Sequence, residues 1–143
     1  NAKLHLIRPL GFDLDDKKVI RAGLDYWPHV DLTVHNSLPD FLKTIGDGEL
    51  FLVSKYSKKD YDQVDFSDPN KERFFLFGNE AFGLPETFMR KNPEKAIRIP
   101  QNDEHVRSLN LSNSVAIVLY EVLRQQNFPD MQRSHHYLQD KLK

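Results

Sequence analysis

Residues able to do chemistry concentrate in two loops of this chain. The first, Gly78-Asn79-Glu80-Ala81-Phe82-Gly83-Leu84-Pro85, follows the apolar run Phe74–Phe77; the second follows Ala96–Ile99 and ends in a helix start. Gly78 would let a ligand approach the main chain, and Gly83 permits a positive φ. Glu80 is an acid in a tight turn. It could serve a ligand or, as readily, cap the following helix or accept the loop's own N–H groups. In the second loop Ser108, Asn110, Ser112, Asn113 and Ser114 alternate small polar groups into the helix. Capping uses one or two of them, and the surplus suits a polar ligand. In open α/β sheets ligands lie beyond the carboxyl ends of strands, where loops and helix N-termini present donors, so these loops are the expected site.

Several chemistries lack their residues. There is no G-x-G-x-x-G, no G-x-x-x-x-G-K-[ST] and no G-x-S-x-G, which removes the usual dinucleotide, P-loop and nucleophile-elbow readings. The absence of cysteine excludes disulfides, thiolate metal sites and a cysteine nucleophile, and suits a reducing cytoplasm. His135 and His136 are adjacent, and neither His105 nor His29 has a partner at ligand spacing, so no metal is expected. A net charge of −1 gives no global attraction to nucleic acid, so any RNA contact must be a local patch. Arg8, Lys17, Lys18 and Arg21 form one such basic cluster, although a solvated helix face looks the same. No run is long enough for a membrane span, and nothing resembles a secretory signal.

The elements that must position these loops alternate. A length of 143 residues fits one domain. Leu4–Ile7 reads as a strand closed by Arg8-Pro9-Leu10-Gly11, and Asp15 and Asp16 open a helix. Val30–Val34 alternates as a half-buried strand does. Ser37 caps a helix in a capping-box-like relation to Asp40, with Leu38, Phe41, Leu42 and Ile45 on its buried face. Leu50–Val53 reads as a covered strand, and Tyr56 to Lys71 as a long charged surface connection. After Phe74–Phe77 come a short helix begun by Pro85 and Glu86, then the Ala96–Ile99 strand. A helix from about Ser112 to Gln125 is apolar on more than one face, fit to pack on a sheet and on a partner. A polar tail, about residues 129–143, frays or docks loosely. The alternation predicts an α/β fold with a mostly parallel sheet and helices on both faces.

The blocks LFGNEAFGLP, IRIP and SLNLSNSVAIVLYE resemble motifs two and three of the trefoil-knotted SPOUT RNA methyltransferases. LHLIRPLGF and DDKKVIRAGLDYW resemble, more narrowly, the small tRNA (cytidine/uridine) 2′-O-methyltransferases of the wobble nucleotide. The resemblance runs to about Phe128. It implies a single SPOUT domain with a C-terminal deep trefoil knot, a homodimer, tRNA as substrate, and S-adenosylmethionine as donor with S-adenosylhomocysteine as product. Carried over by position, Val53, Gly78, Ile99, Ser108 and Leu109 would line the cofactor pocket. Glu80, Asn110 and Ser112 fall at active-site positions, and Tyr120 matches a tyrosine near the dimer interface and RNA site. Arg8, Lys17, Lys18, Arg21 and Arg107 become candidate phosphate contacts. The family's opening strand and its N-x-G-N-I-x-R motif do not occur in these residues, so a first strand and helix are expected to be missing. Two competing readings are 2′-O-methylation of another RNA and a knotted RNA-binding dimer without catalysis.

Overall fold

The structure, a computed structural model, describes residues 2–11, 27–105 and 107–134. The helix expected around Asp15–Leu24, with Lys17, Lys18 and Arg21, and the tail beyond Ser134 lie outside these residues. The chain forms two compact units, residues 1–47 and 48–143, each built on parallel strands.

In the first unit, β1 (Leu4–Ile7) pairs in parallel with β2 (Leu32–His35), Leu4 opposite Leu32 and Ile7 opposite His35. A short helix α1 (Leu38–Leu42) follows. Its cap is Ser37, whose Oγ accepts from the Asp40 backbone N–H at 3.2 Å. The reciprocal half of the expected capping box is altered, because Asp40 accepts the Ser37 hydroxyl at 2.7 Å instead of reaching back to the backbone. The helix stops at Leu42, and the i→i−3 bonds Thr44 N to Phe41 O and Ile45 N to Leu42 O tighten its end. Phe41 and Ile45 are buried all the same. Phe41 stands edge-on to His5 and His35, whose rings stack and share a 2.9 Å hydrogen bond.

The second unit carries a three-stranded parallel sheet in the order β4-β3-β5: β3 (Glu49–Val53), β4 (Arg73–Phe77) and β5 (Ala96–Ile97). A short helix α2 (Glu86–Lys91) lies between β4 and β5, and α3 (Leu111–Gln125) follows β5. Central β3 alternates buried and half-buried residues, with Leu52 fully buried. β5 is shorter than the sequence suggests, because beyond Ile97 it keeps only a bridge from Arg98 to Asp60.

The charged connection after β3 is more than surface. Its Phe66 is completely buried, packed with Ile97 and Val122 and in ring contact with Phe51 and Phe75 at 5.3 and 5.5 Å. A buried loop must have its backbone groups paired. Here the end of α3 and the residue that caps it supply the partners: Gln125 Oε1 accepts from the Phe66 N–H at 2.6 Å, Gln125 Nε2 donates to Val64 O, and Gln126 Nε2 donates to Phe66 O. Hydrophobic periodicity is blind to one aromatic among acids and lysines, so this anchor escapes a sequence reading.

Glu121 is buried on α3 and accepts from Arg124 twice, at 2.8 Å each, and from Gln125 at 2.7 Å. The Arg124 hydrogen bond, helped by Gln125 and opposed by burial, holds its carboxyl below the ordinary 4.5. A carboxylate with a depressed folded pKa stabilises the fold above its unfolded value and loses that contribution as pH falls through the folded one. Thermal midpoints should therefore fall more steeply below pH 4.5 in the wild type than in Glu121→Gln; parallel curves would contradict this role.

Candidate functional site

Parallel pairing brings three of the five expected cofactor residues, Val53, Gly78 and Ile99, to one edge. Val53, at the carboxyl end of β3, lies opposite Phe77 of β4 and Ile97 of β5. Gly78 directly follows Phe77, Ile99 follows Ile97 by two residues, and the Ser54 N–H donates to Ile97 O at 2.9 Å. Val53, Gly78, Ile99 and Leu109 are all half-buried, whereas Ser108 is exposed. The stretch before α3 is tied to the same region by Lys55, whose Nζ donates to Arg107 O at 2.9 Å.

The Gly78–Pro85 loop is a closed turn. Asn79 and Gly83 exchange two backbone hydrogen bonds, and Asn79 Oδ1 accepts from Ala81 N at 2.8 Å and Phe82 N at 3.3 Å. Gly83 has φ +70°, as its type allows. Gly78 is demanded by the loop itself: a Cβ there would lie 2.2 Å from Gly83 C and 2.3 Å from Leu84 N. The close approach read from the sequence thus belongs to the loop's own far side. Buried Leu84 anchors the turn, while Phe82 at its tip is 91% exposed. Asn79, which the sequence reading passed over, does the structural work considered for Glu80. The Glu80 side chain is exposed and left to other uses.

At the start of α3, capping takes more of the polar residues than expected. Asn110 Oδ1 accepts from Asn113 N at 3.2 Å and from the Ser112 hydroxyl, and Ser114 Oγ donates to Asn110 O at 3.0 Å. The surplus is therefore smaller than it reads. With its oxygen occupied, Asn110 keeps its Nδ2 donors for a ligand, and Ser112 keeps acceptor lone pairs.

Beside this edge lies a shallow, largely open cleft of about 520 Å³ lined by Lys55, Tyr56, Ser57, Lys58, Asp60, Arg98, Pro100 and Gln101. None of the five cofactor candidates lines it. Arg98 is shared between Asp103 at 3.0 Å and Asp60 at 4.0 Å. The sequence signal for this wall is the run Lys55-Tyr56-Ser57-Lys58-Lys59, one residue past β3, a basic and aromatic interleaving that reads in sequence as part of a charged surface connection. Arg8, in the first unit, and Arg107, in the second, are both exposed. Tyr120 is 56% exposed on α3, its ring 6.2 Å from Phe128, and Val115 on the same helix is 37% exposed, while Val118 and Val122 are buried. The two-sided apolar character of this helix is thus only partly covered within the second unit. Among the described residues, no group of three or more His, Asp or Glu could hold a metal ion, and no helix is long and apolar enough to cross a membrane.

Comparison with known proteins gives consistent matches. The sequence profile of the SpoU rRNA methylase family matches residues 1–120. A Lactobacillus gasseri protein named as a candidate RNA (cytidine(34)-2′-O)-methyltransferase is 58% identical, covering 100% of this chain and 77% of its own length. A crystal structure of a candidate RNA methyltransferase from Bacillus anthracis is 49% identical, with a TM-score of 0.86 over 90% of this chain and 80% of that one. A solved structure described as giving insight into 2′-OH methylation of C/U34 on tRNA is 41% identical, with a TM-score of 0.77 over 87% and 79% of the two chains.

Proposed function

The chain belongs to the SpoU rRNA methylase family of RNA methyltransferases, and from that premise we infer that it methylates the ribose 2′-hydroxyl of the wobble cytidine or uridine of tRNA. The observation that carries the assignment is 58% identity over the whole chain to a protein named for methylation of cytidine 34. S-adenosylmethionine is the donor in this reading. Val53, Gly78 and Ile99 at the strand ends, with Ser108 and Leu109 ahead of α3, would hold it. Half-buried apolar side chains interleaved with backbone donors suit a nucleoside carrying a charged amino-acid arm. When bound, it supplies an electrophilic methyl group on a sulfonium.

The chain's own residues orient the ribose. Glu80, released from loop duty by Asn79, accepts the hydrogen of the ribose hydroxyl, and Asn110 Nδ2 and Ser112 Oγ hold the neighbouring polar groups. As the oxygen takes the methyl it gives up its proton, and a carboxylate placed on that hydrogen favours the transfer. Holding the two reactants in line supplies much of the rate. Arg8, Lys17, Lys18, Arg21 and Arg107 contact phosphates, so binding weakens steeply with salt. The exposed side of α3 that carries Tyr120 is the homodimer interface, the C-terminal segment threads as a trefoil knot, and the enzyme works in the cytoplasm on tRNA.

Incubation with tRNA and tritiated S-adenosylmethionine, followed by nucleoside mapping, should place the label on the wobble ribose; label on another position, on rRNA alone or on neither RNA would refute the assignment. Glu80→Gln should lower kcat by about 100-fold while S-adenosylhomocysteine still binds within about twofold of wild type. A Glu80→Gln enzyme as fast as wild type would remove Glu80 from the chemistry.

A further inference from the structure

The cleft beside the strand-end site is built around an aromatic ring that is displayed rather than buried. Tyr56 is 76% exposed, yet its turn is pinned. The neighbouring Ser57 is buried; its Oγ donates to Ala96 O at 2.7 Å and accepts from Lys59 N at 3.1 Å. Ser54 Oγ accepts from the Tyr56 N–H at 3.4 Å. Lys55 Nζ stands 5.3 Å from the Tyr56 ring centroid, held there by its bond to Arg107 O. An ammonium thus stands over the ring while most of the Tyr56 side chain remains exposed to solvent. The cleft lining carries Lys55, Lys58 and Arg98 against a single acid, Asp60, and Lys58 is exposed.

A solvent-exposed ring on a pinned turn, framed by cations, matches one class of ligand, a nucleotide whose base stacks while its phosphate meets an ammonium. We propose that this cleft binds a nucleotide of the RNA substrate other than the one methylated, its base on Tyr56 and its phosphate on Lys58. The inference rests on the RNA methyltransferase reading above. It adds a positioning site separate from the cofactor edge and joined to it through the Lys55–Arg107 link. Arg98 is engaged by Asp60 and Asp103, which leaves Lys58 as the cation for the phosphate.

The test compares Tyr56→Ala, Tyr56→Phe and Lys58→Ala with wild type in tRNA binding, methylation kinetics and S-adenosylhomocysteine affinity. Loss of one stack should raise the tRNA Kd and KM of Tyr56→Ala about tenfold, with kcat and S-adenosylhomocysteine affinity within about twofold of wild type. Tyr56→Phe, which keeps the ring, should restore binding. Lys58→Ala should reduce the slope of log Kd against log salt by about 0.7 to 1. Unchanged tRNA affinity in Tyr56→Ala, or an effect seen in S-adenosylhomocysteine affinity instead, would overturn the proposal. Because tRNA Kd is read without turnover, a wrong target nucleotide would defeat the wobble assignment and leave this test readable.

Discussion

Gly78→Ala is expected to reduce kcat/KM by about 100-fold or more. The added Cβ would sit 2.2 Å from Gly83 C, 2.3 Å from Leu84 N and 2.6 Å from Gly83 Cα. All three are backbone atoms, so no side-chain rotation relieves the overlap. The two strands of the turn must separate, which breaks the Asn79–Gly83 pair of hydrogen bonds and moves Glu80 with it. Overpacking of this kind costs about 1–3 kcal/mol or more, and displacing a catalytic group by about 1 Å costs about 100-fold in rate. Circular dichroism should show the fold retained while steady-state methylation collapses. Gly11→Ala is the control, since a Cβ at Gly11 meets nothing within 4 Å. A Gly78→Ala enzyme with wild-type kcat/KM would mean that the turn does not position the chemistry.

Phe66→Ala should be the most destabilising truncation in the second unit. Its ring is fully buried between Phe51, Phe75, Ile97 and Val122, and the Arg73 guanidinium lies 5.7 Å from its centroid. Emptying such a site costs about 3–5 kcal/mol, which lowers Tm by about 10 °C in a chain of this size. The mutation also frees the connection whose backbone Gln125 and Gln126 hold, so amide exchange at residues 64–66 should accelerate together with the loss of Tm. A fall of under about 3 °C would show that the ring is not the anchor described.

How far the chain could be read in advance depended on the kind of signal. Periodicity located β1 as read, β3 and β4 to within one residue, and α3 from one residue before its expected start, because continuous apolar runs with glycine or proline punctuation leave few alternatives. It overran α1, where the last turn tightens with Ile45 still buried, and β5, whose ladder ends at Ile97. Pairing is a long-range property, so the meeting of Val53 with Phe77 and Ile97 became visible only in three dimensions. Inside the candidate site the residue types were legible but not their division of labour. Asn79 rather than Glu80 closes the first loop, and Asn110 draws Ser112, Asn113 and Ser114 into its cap. A polar side chain looks the same in sequence whether a neighbouring N–H or a ligand uses it. Family resemblance filled part of that gap, and the comparisons support it at the level of family and reaction.

In the function proposed above, the carboxyl ends of β3, β4 and β5, together with the stretch before α3, hold the methyl donor. Titrating the ¹⁵N-labelled protein with S-adenosylhomocysteine and mapping amide shifts tests it most directly. Saturable shifts are expected, centred on Val53, Gly78, Ile99, Ser108 and Leu109, with the amides of Tyr56 and Lys58 little changed. Shifts centred on the Tyr56 cleft, or no binding at millimolar ligand, would contradict it.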